Sequence, residues 1–530
     1  MLPHQTIQNP PTIKYRNIAD LLISQAKKYP KKDFIICPGN EDETYTYENF
    51  LNIVCKTIDF LYSKGLKQGD RINLVIPNSS EFLFFYFAGL FSGITIVTVN
   101  EDISPPEISY IVNDSESKAI IYDDTYNHKI TDLSPLITPK VQKHPLSEFK
   151  NYLKNINHIT NYELQITDYD HDAVIIYTSG TTGNPKGVVL THLNLLADAK
   201  AVSSWFQFTP ETRTLCILPL FHNNGQIMTL LNPLYSGGST VIIKGKASLM
   251  SFWGLVDKYK INWTSVMPSI LSILLSLKKE RTDNTMQGIF CGGQILTQNV
   301  QEEFEKRFRV PIFEGFGLTE TTSFACFNYY PKEKRKIGSI GKPLPVNEMT
   351  IVDELDNELP PYEEGEICIR GLNVAKEYLK LPEKNASSFR NGWFHSGDFG
   401  YKDDENYFYF KTRKDFLIIK GGENIYPAEL ENIIFKHPAI SEVAVLGIPD
   451  KLLGEEICAF VKLHEGAKTT EKELKDFCKG KISAFKQAKK IFIIDELPDL
   501  DDIPKGPTKK VLYRKLKEYY LKKIITYDPE

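Results

Sequence analysis

Residues 177–192 read YTSGTTGNPKGVVLTH, with the β-branched run AVIIYTS leading in and GVVLTH leading out. The pattern predicts strand, glycine-rich loop, strand. Glycines at 180, 183 and 187 let backbone N–H groups approach an anion closely. Thr178, Ser179, Thr181 and Thr182 add hydroxyl donors, and Lys186 adds a positive charge. A Walker-type phosphate loop needs lysine directly after its second glycine and a helix beyond it. Here Asn184 and Pro185 separate Gly183 from Lys186 and a strand follows, which argues against that class. A Gly/Thr loop alone also fits a ligand-free polar hairpin, but the whole ten-residue string TSGTTGNPKG favours a phosphate site.

Working outward, 530 residues with 42% hydrophobic and 25% charged content exceed what one compact domain holds. The 63 basic and 67 acidic side chains leave a net charge of −4, so no global electrostatic case exists for nucleic acid or an anionic membrane. The eight cysteines, at 37, 55, 216, 291, 326, 368, 458 and 478, form no C-x-x-C pair and no metal-ligand spacing, and read as mostly buried reduced thiols. The start lacks an apolar signal region and the end carries no anchor, so the expected location is cytoplasmic. Residues 82–99, FLFFYFAGLFSGITIVTV, are apolar nearly to the length of a membrane span. The preceding NSSE and the internal Gly93 favour a capped core helix turning into a buried strand, with a membrane span as the minor reading.

Up to about residue 410, runs such as RINLVIP, KAIIYD and STVIIK alternate with helix-period segments such as NIADLLISQAKKYP and NVQEEFEKRF. That alternation predicts an α/β fold with layered, at least partly parallel sheets. After Lys411 the units shorten to FLIIK, SEVAVLGI, EICAFVKL and KKIFIID, interspersed with lysine-rich helices, which predicts a small α+β lid. The expected domains are 1–412 and 413–530.

TSGTTGNPKG, together with LPLFHNNG (218–225), FCGGQIL (290–296), EGFGLTE (314–320), GWFHSGDFG (392–400), TRKDFLIIKGGENIYPAELE (412–431) and PKGPTKKVLYRKL (504–516), resembles the adenylate-forming superfamily in motif and order along nearly the whole chain. That superfamily contains acyl- and aryl-CoA synthetases, peptide-synthetase adenylation domains and luciferases. The resemblance implies that Thr178, Ser179, Gly180, Thr181, Thr182, Gly183 and Lys186 wrap the ATP β/γ-phosphates. It places Gly292, Gly293, Gln294, Glu314, Gly315 and Gly317 at the nucleotide, with Phe316 against adenine. Thr319 would contact the α-phosphate and Glu320 would bind Mg²⁺, while Asp398 and Arg413 would hydrogen-bond the ribose. Thr412 stands where glycine often precedes that arginine, Phe316 replaces a commoner tyrosine, and Lys509 replaces the usual glycine before the catalytic lysine. Alignment through Arg514 selects Lys510 over Lys509 as that lysine.

The implied reaction has two steps, formation of acyl-AMP from acid and ATP and then attack by the thiol of coenzyme A, with a stand-alone carrier-protein loader as the alternative. The resemblance makes Asp415 a hinge of a mobile lid that exchanges Lys510 for the thiol-tunnel face Lys420, Gly421, Gly422, Glu423 and Asn424. Amino-acid-adenylating domains usually place an aspartate after the phenylalanine of the FHNN region; here the residues are Phe221, His222, Asn223 and Asn224. An acid without an α-amine is therefore expected, in a pocket bordered by His222, Asn223, Asn224, Gln226 and Gly317. The amides hint at a short or polar acyl group.

Overall fold

The computed structural model describes residues 1–39, 41–156, 168–178, 184–244, 249–281, 285–421, 423–450, 452–497, 499–505 and 511–524. Its contacts form two compact units, Met1–Thr350 with Cys368–His395, and Ile351–Ile367 with Ser396–Glu530. The partition thus interleaves, whereas the sequence reading drew one boundary at 412/413.

The first unit holds two sheets that meet the expected α/β pattern. One has seven strands, and its inner members Asp172–Thr178, Thr95–Thr98, Arg71–Val75 and Ala119–Tyr122 run parallel. The other has nine, with Ile312–Phe316, Gly288–Cys291, Trp263–Val266, Arg213–Cys216, Ser239–Ile242 and Asp33–Cys37 parallel in that order. Central strands buried on both faces require the near-continuous Val/Ile/Leu runs seen in the sequence. One apolar core joins residues of both sheets to the helices Ile18–Lys28, Tyr47–Ser63 and Ser80–Ser92.

The apolar stretch 82–99 lies in that core. Ser79 accepts a hydrogen bond from the Phe82 N–H to start the helix Ser80–Ser92, Gly93 ends it, and the strand Thr95–Thr98 follows. Phe82, Phe85 and Phe87 are fully buried by neighbouring protein. Among the described residues no helix is long and apolar enough to cross a membrane. All eight cysteines are free, and all but Cys55 are buried.

Within the helical stretch after Asn223 a π-helical turn, Ile227–Leu231, leads into Asn232–Ser236. Its cause lies in Pro233, which has no N–H to give to the carbonyl of Thr229 four residues earlier. Two neighbouring strands repair the gap. The hydroxyls of Thr214 and Thr240 donate to that carbonyl at 2.6 and 2.8 Å.

The second unit contains a five-stranded sheet. Its long antiparallel pair, Ile440–Asp450 with Gly454–Leu463, is flanked by Ile418–Lys420 and by the parallel strand Lys490–Ile493. Helices Pro427–Ile434, Glu471–Cys478 and Tyr513–Tyr519 complete the expected α+β composition. Glu431, pushed up to about 7 by burial, accepts hydrogen bonds from the Val445 N–H and the Tyr513 hydroxyl.

Candidate active site

In open sheets with parallel strands, ligands bind beyond the carboxyl ends of the strands. Three of the motifs stand there on the nine-stranded sheet: 218–226 follows Arg213–Cys216, 292–294 follows Gly288–Cys291, and 317–320 follows Ile312–Phe316. Parallel pairing through Trp263–Val266 brings them to one edge of the sheet, although about a hundred residues separate the first from the third.

The loops also touch. Asn223 Nδ2 donates to the Leu318 carbonyl at 3.3 Å, linking the proposed acyl and nucleotide motifs. A Cβ on Gly292 would sit 2.7 Å from the Gly315 carbonyl oxygen, and one on Gly317 only 1.8 Å from that of Ser323. These two glycines are required by close backbone approach. From the loop between the strand Arg71–Val75 and the helix Ser80–Ser92, Asn78 grips both ends of Leu218–Leu220, donating to the Leu218 carbonyl and accepting from the Leu220 N–H. Thr98 donates to the Phe221 carbonyl at 2.8 Å. Asn78 and Thr98 were not singled out in the sequence, where they read as a helix-cap residue and a strand residue.

His222 is half-buried and stands at the N-cap of the short helix Asn223–Gln226. Gln226 is fully buried and donates to the Leu220 carbonyl at 2.8 Å, which makes it a brace of the loop. Oδ1 of Asn224 is buried with no hydrogen-bond partner among the described residues. Glu314 accepts from the Leu296 N–H, and burial pushes its carboxyl up to about 8. It therefore enters the site region mainly as the neutral acid near pH 7.

Thr319 and Glu320 lie in the single turn Thr319–Thr321. The chain leaves that turn through Thr322 at φ 64°, a conformation costing a β-branched residue about 1–3 kcal/mol. The neighbourhood holds it there: Thr322 Oγ1 donates to the Asn373 carbonyl at 2.6 Å, while the Ser323 and Phe324 N–H groups and Asn373 Nδ2 all donate to the buried carboxyl of Asp198. The Ala375 N–H donates to the Glu320 carbonyl at 2.8 Å. The Tyr378 hydroxyl donates to Glu320 Oε1 at 2.7 Å. Tyr378 also lies under Lys186, whose Nζ is 5.8 Å from its ring centroid.

Strands Asp172–Thr178 and Lys186–Thr191 pair antiparallel as expected, with Thr178 opposite Lys186. Ser179, Gly180, Thr181, Thr182 and Gly183, which carry most of the proposed phosphate contacts, lie outside the described residues, as do Gly422, Lys509 and Lys510. In the second unit Asp398 stands directly opposite Arg413 in a hairpin and pairs with it at 3.2 Å, its side chain almost fully buried. Asp415 is exposed beside this pair in sequence. Lys420, by contrast, is turned inward: it pairs with Glu456 at 2.5 Å and donates to the Phe485 carbonyl at 3.0 Å. Gly421, Glu423 and Asn424 are exposed at the turn.

Residues 22–379 match the model of the AMP-binding enzyme family, and residues 429–500 match that of the AMP-binding enzyme C-terminal domain. The chain is 32% identical to an oxalate–CoA ligase of Arabidopsis thaliana, over 96% of this chain and 99% of that one. It is 31% identical to a long-chain-fatty-acid–CoA ligase of Bacillus subtilis, over 98% and 95%. The o-succinylbenzoate coenzyme A synthetase of Bacillus subtilis, solved with ATP and magnesium ion, superposes with a TM-score of 0.84 at 29% identity, covering 94% of this chain and 99% of that one.

Proposed function

We propose, from the premise that this chain belongs to the AMP-binding enzyme family, that the acid it activates is short and polar and has no α-amine. The reaction is the ATP-dependent conversion of a carboxylic acid to acyl-AMP, followed by transfer of the acyl group to the thiol of coenzyme A. The observation that carries the substrate reading is the 218–226 loop. Clamped by Asn78 and Thr98, it contains no acidic side chain that could pair an α-ammonium, and it holds the acceptor Asn224 Oδ1, which has no hydrogen-bond partner among the described residues. A polar acyl group with a hydrogen-bond donor satisfies that acceptor, whereas an alkyl chain leaves it desolvated. The relatives act on acids as different as oxalate and a long-chain fatty acid, so the loop carries more weight than their names.

Residues at the carboxyl ends of the strands fit ATP and Mg²⁺: the space beside Gly293 is open, a Cβ there meeting nothing within 4 Å, and Glu320 offers a hard carboxylate oxygen. Thr178 and Lys186, with residues 179–183, receive the β/γ-phosphates. Phe316 lies against adenine, with Gly292, Gly293 and Gln294 completing that wall. Thr319 donates to the α-phosphate. Asp398, oriented by Arg413, accepts from the ribose hydroxyls. Glu320 would hold Mg²⁺, which when bound would supply charge neutralisation for the triphosphate. Lys510 bridges the attacking carboxylate and the α-phosphate in the first step. Asp415 is the hinge that hands the second step to Gly421, Glu423 and Asn424, with Lys420 holding their hairpin from behind.

A panel of carboxylic acids, read by pyrophosphate release with no acceptor, with free CoA and with a phosphopantetheinyl carrier protein, tests this reading. Short hydroxy- or amide-bearing acids should give the highest kcat/KM, and free CoA should accept the product faster than the carrier. Preference for a long alkyl acid or an amino acid would overturn the substrate assignment. Faster transfer to the carrier would overturn the acceptor.

A further inference from the structure

We propose that Tyr378 is the positioning residue of the metal-binding carboxylate: by hydrogen-bonding one oxygen of Glu320, it turns the other toward Mg²⁺. The inference rests on the reading of Glu320 as the metal-bearing side chain. Its evidence is the 2.7 Å bond from the tyrosine hydroxyl to Oε1, combined with how firmly the tyrosine itself is held. Asn385 takes both backbone groups of Tyr378 at once, its Oδ1 accepting from the N–H at 2.7 Å and its Nδ2 donating to the carbonyl at 2.9 Å. The residue pairs with Val188 on the strand that begins at Lys186, its side chain is almost fully buried, and its ring packs 5.7 Å from that of Phe389. A half-buried carboxylate on a one-turn loop would otherwise rotate freely about its terminal torsion. With Oε1 occupied by a hydroxyl hydrogen, it presents one oxygen in one direction, the monodentate geometry that a small octahedral ion demands and that a larger ion accepting bidentate carboxylates does not need.

The same tyrosine carries Lys186 over its ring, so one rigid group sets the spacing between the phosphate-facing cation and the metal-facing anion. Because Tyr378 pairs with the strand Lys186–Thr191 and hydrogen-bonds Glu320, it registers that strand against the Thr319–Thr321 turn.

The test uses the full-length enzyme with α,β-methylene-ATP and Mn²⁺, bound metal being read by electron paramagnetic resonance. Tyr378→Phe keeps the ring, the packing on Phe389 and the face beneath Lys186, and removes only the hydroxyl. We expect it to weaken Mn²⁺ binding about 10-fold, to leave metal-free nucleotide affinity within about twofold, and to have no further effect in a Glu320→Gln background. Asn385→Ala, which frees the tyrosine backbone and spares the hydroxyl, should weaken Mn²⁺ in the same direction by less. Wild-type Mn²⁺ affinity in Tyr378→Phe, when Glu320→Gln has lost it, would overturn the positioning role and leave the metal assignment standing. An equal loss with Glu320 and with Gln at 320 would also overturn it, since Tyr378 would then act elsewhere. Unchanged Mn²⁺ affinity in Glu320→Gln would overturn the metal assignment itself and the proposal with it.

Discussion

At the scale of single residues, Asp198 shows how a side chain far from any recognisable motif can shape one. Burial pushes its carboxyl up to about 7, against which the three N–H donors from Ser323, Phe324 and Asn373 act only in part. Oδ1 has no hydrogen-bond partner among the described residues. The unfolded chain releases this proton near pH 4 (about 3.9 for a free aspartate). Between that value and about 7 the folded protein therefore holds a proton that the unfolded chain lacks. Stability at this site falls as pH rises through that window, by up to about 1.4 kcal/mol per unit, and is level above it. Asp198→Asn keeps an acceptor for the Phe324 N–H and abolishes the titration. Its thermal midpoint, measured against wild type, should gain steadily from about pH 5 to about pH 7 and no further beyond about pH 8. A difference independent of pH would show that Asp198 is ionised throughout. Nothing in LADAKA marked this aspartate, because its role depends on the packing of a helix against a loop more than a hundred residues away.

At the scale of elements, the strands Asp172–Thr178 and Lys186–Thr191 and the helix–strand within 82–99 were legible because their signals are local: period-2 or continuous β-branched runs, a serine cap, a glycine stop. The π turn was not legible. Pro233 announces a break, but whether the helix ends there or continues depends on who satisfies the Thr229 carbonyl, and the two hydroxyls that do so come from other strands. Replacing both Thr214 and Thr240 by valine should destabilise the protein by about 1–3 kcal/mol, read as a lower urea midpoint, through an orphaned carbonyl. Each single variant retains one donor and should lose clearly less than half of that. If the two single effects simply add to the double, the shared-carbonyl account is wrong. Lys420 teaches the same lesson: nothing in its motif foretold that its ammonium pairs inside the second unit with Glu456.

At the scale of the whole molecule, alternation of the two half-reactions is the property to test, and Lys510 is the handle. Lys510→Ala should slow acyl-AMP formation roughly 10²–10³-fold, the usual loss for one preorganised charge in a transition state, yet convert supplied acyl-AMP to acyl-CoA at near the wild-type rate. Lys509→Ala should affect both steps mildly. A large adenylation defect in Lys509→Ala with a mild one in Lys510→Ala would mean that the tail is aligned one residue out. Equal defects in both steps for Lys510→Ala would defeat the alternation. The order of motifs along the chain, the α/β class, the α+β character of the C-terminal part and the residue types offered to a nucleotide were all determined by the sequence alone, because each is written in local spacing and side-chain chemistry. Only the tertiary structure decided that Asn78 and Thr98 clamp the FHNN loop, that Asp198 and Asn373 hold Thr322 in its strained turn, and that Tyr378 meets both Glu320 and Lys186. Those pairings join segments up to about two hundred residues apart, and a distance of that kind closes through the packing of two sheets on a common core, which no local pattern encodes.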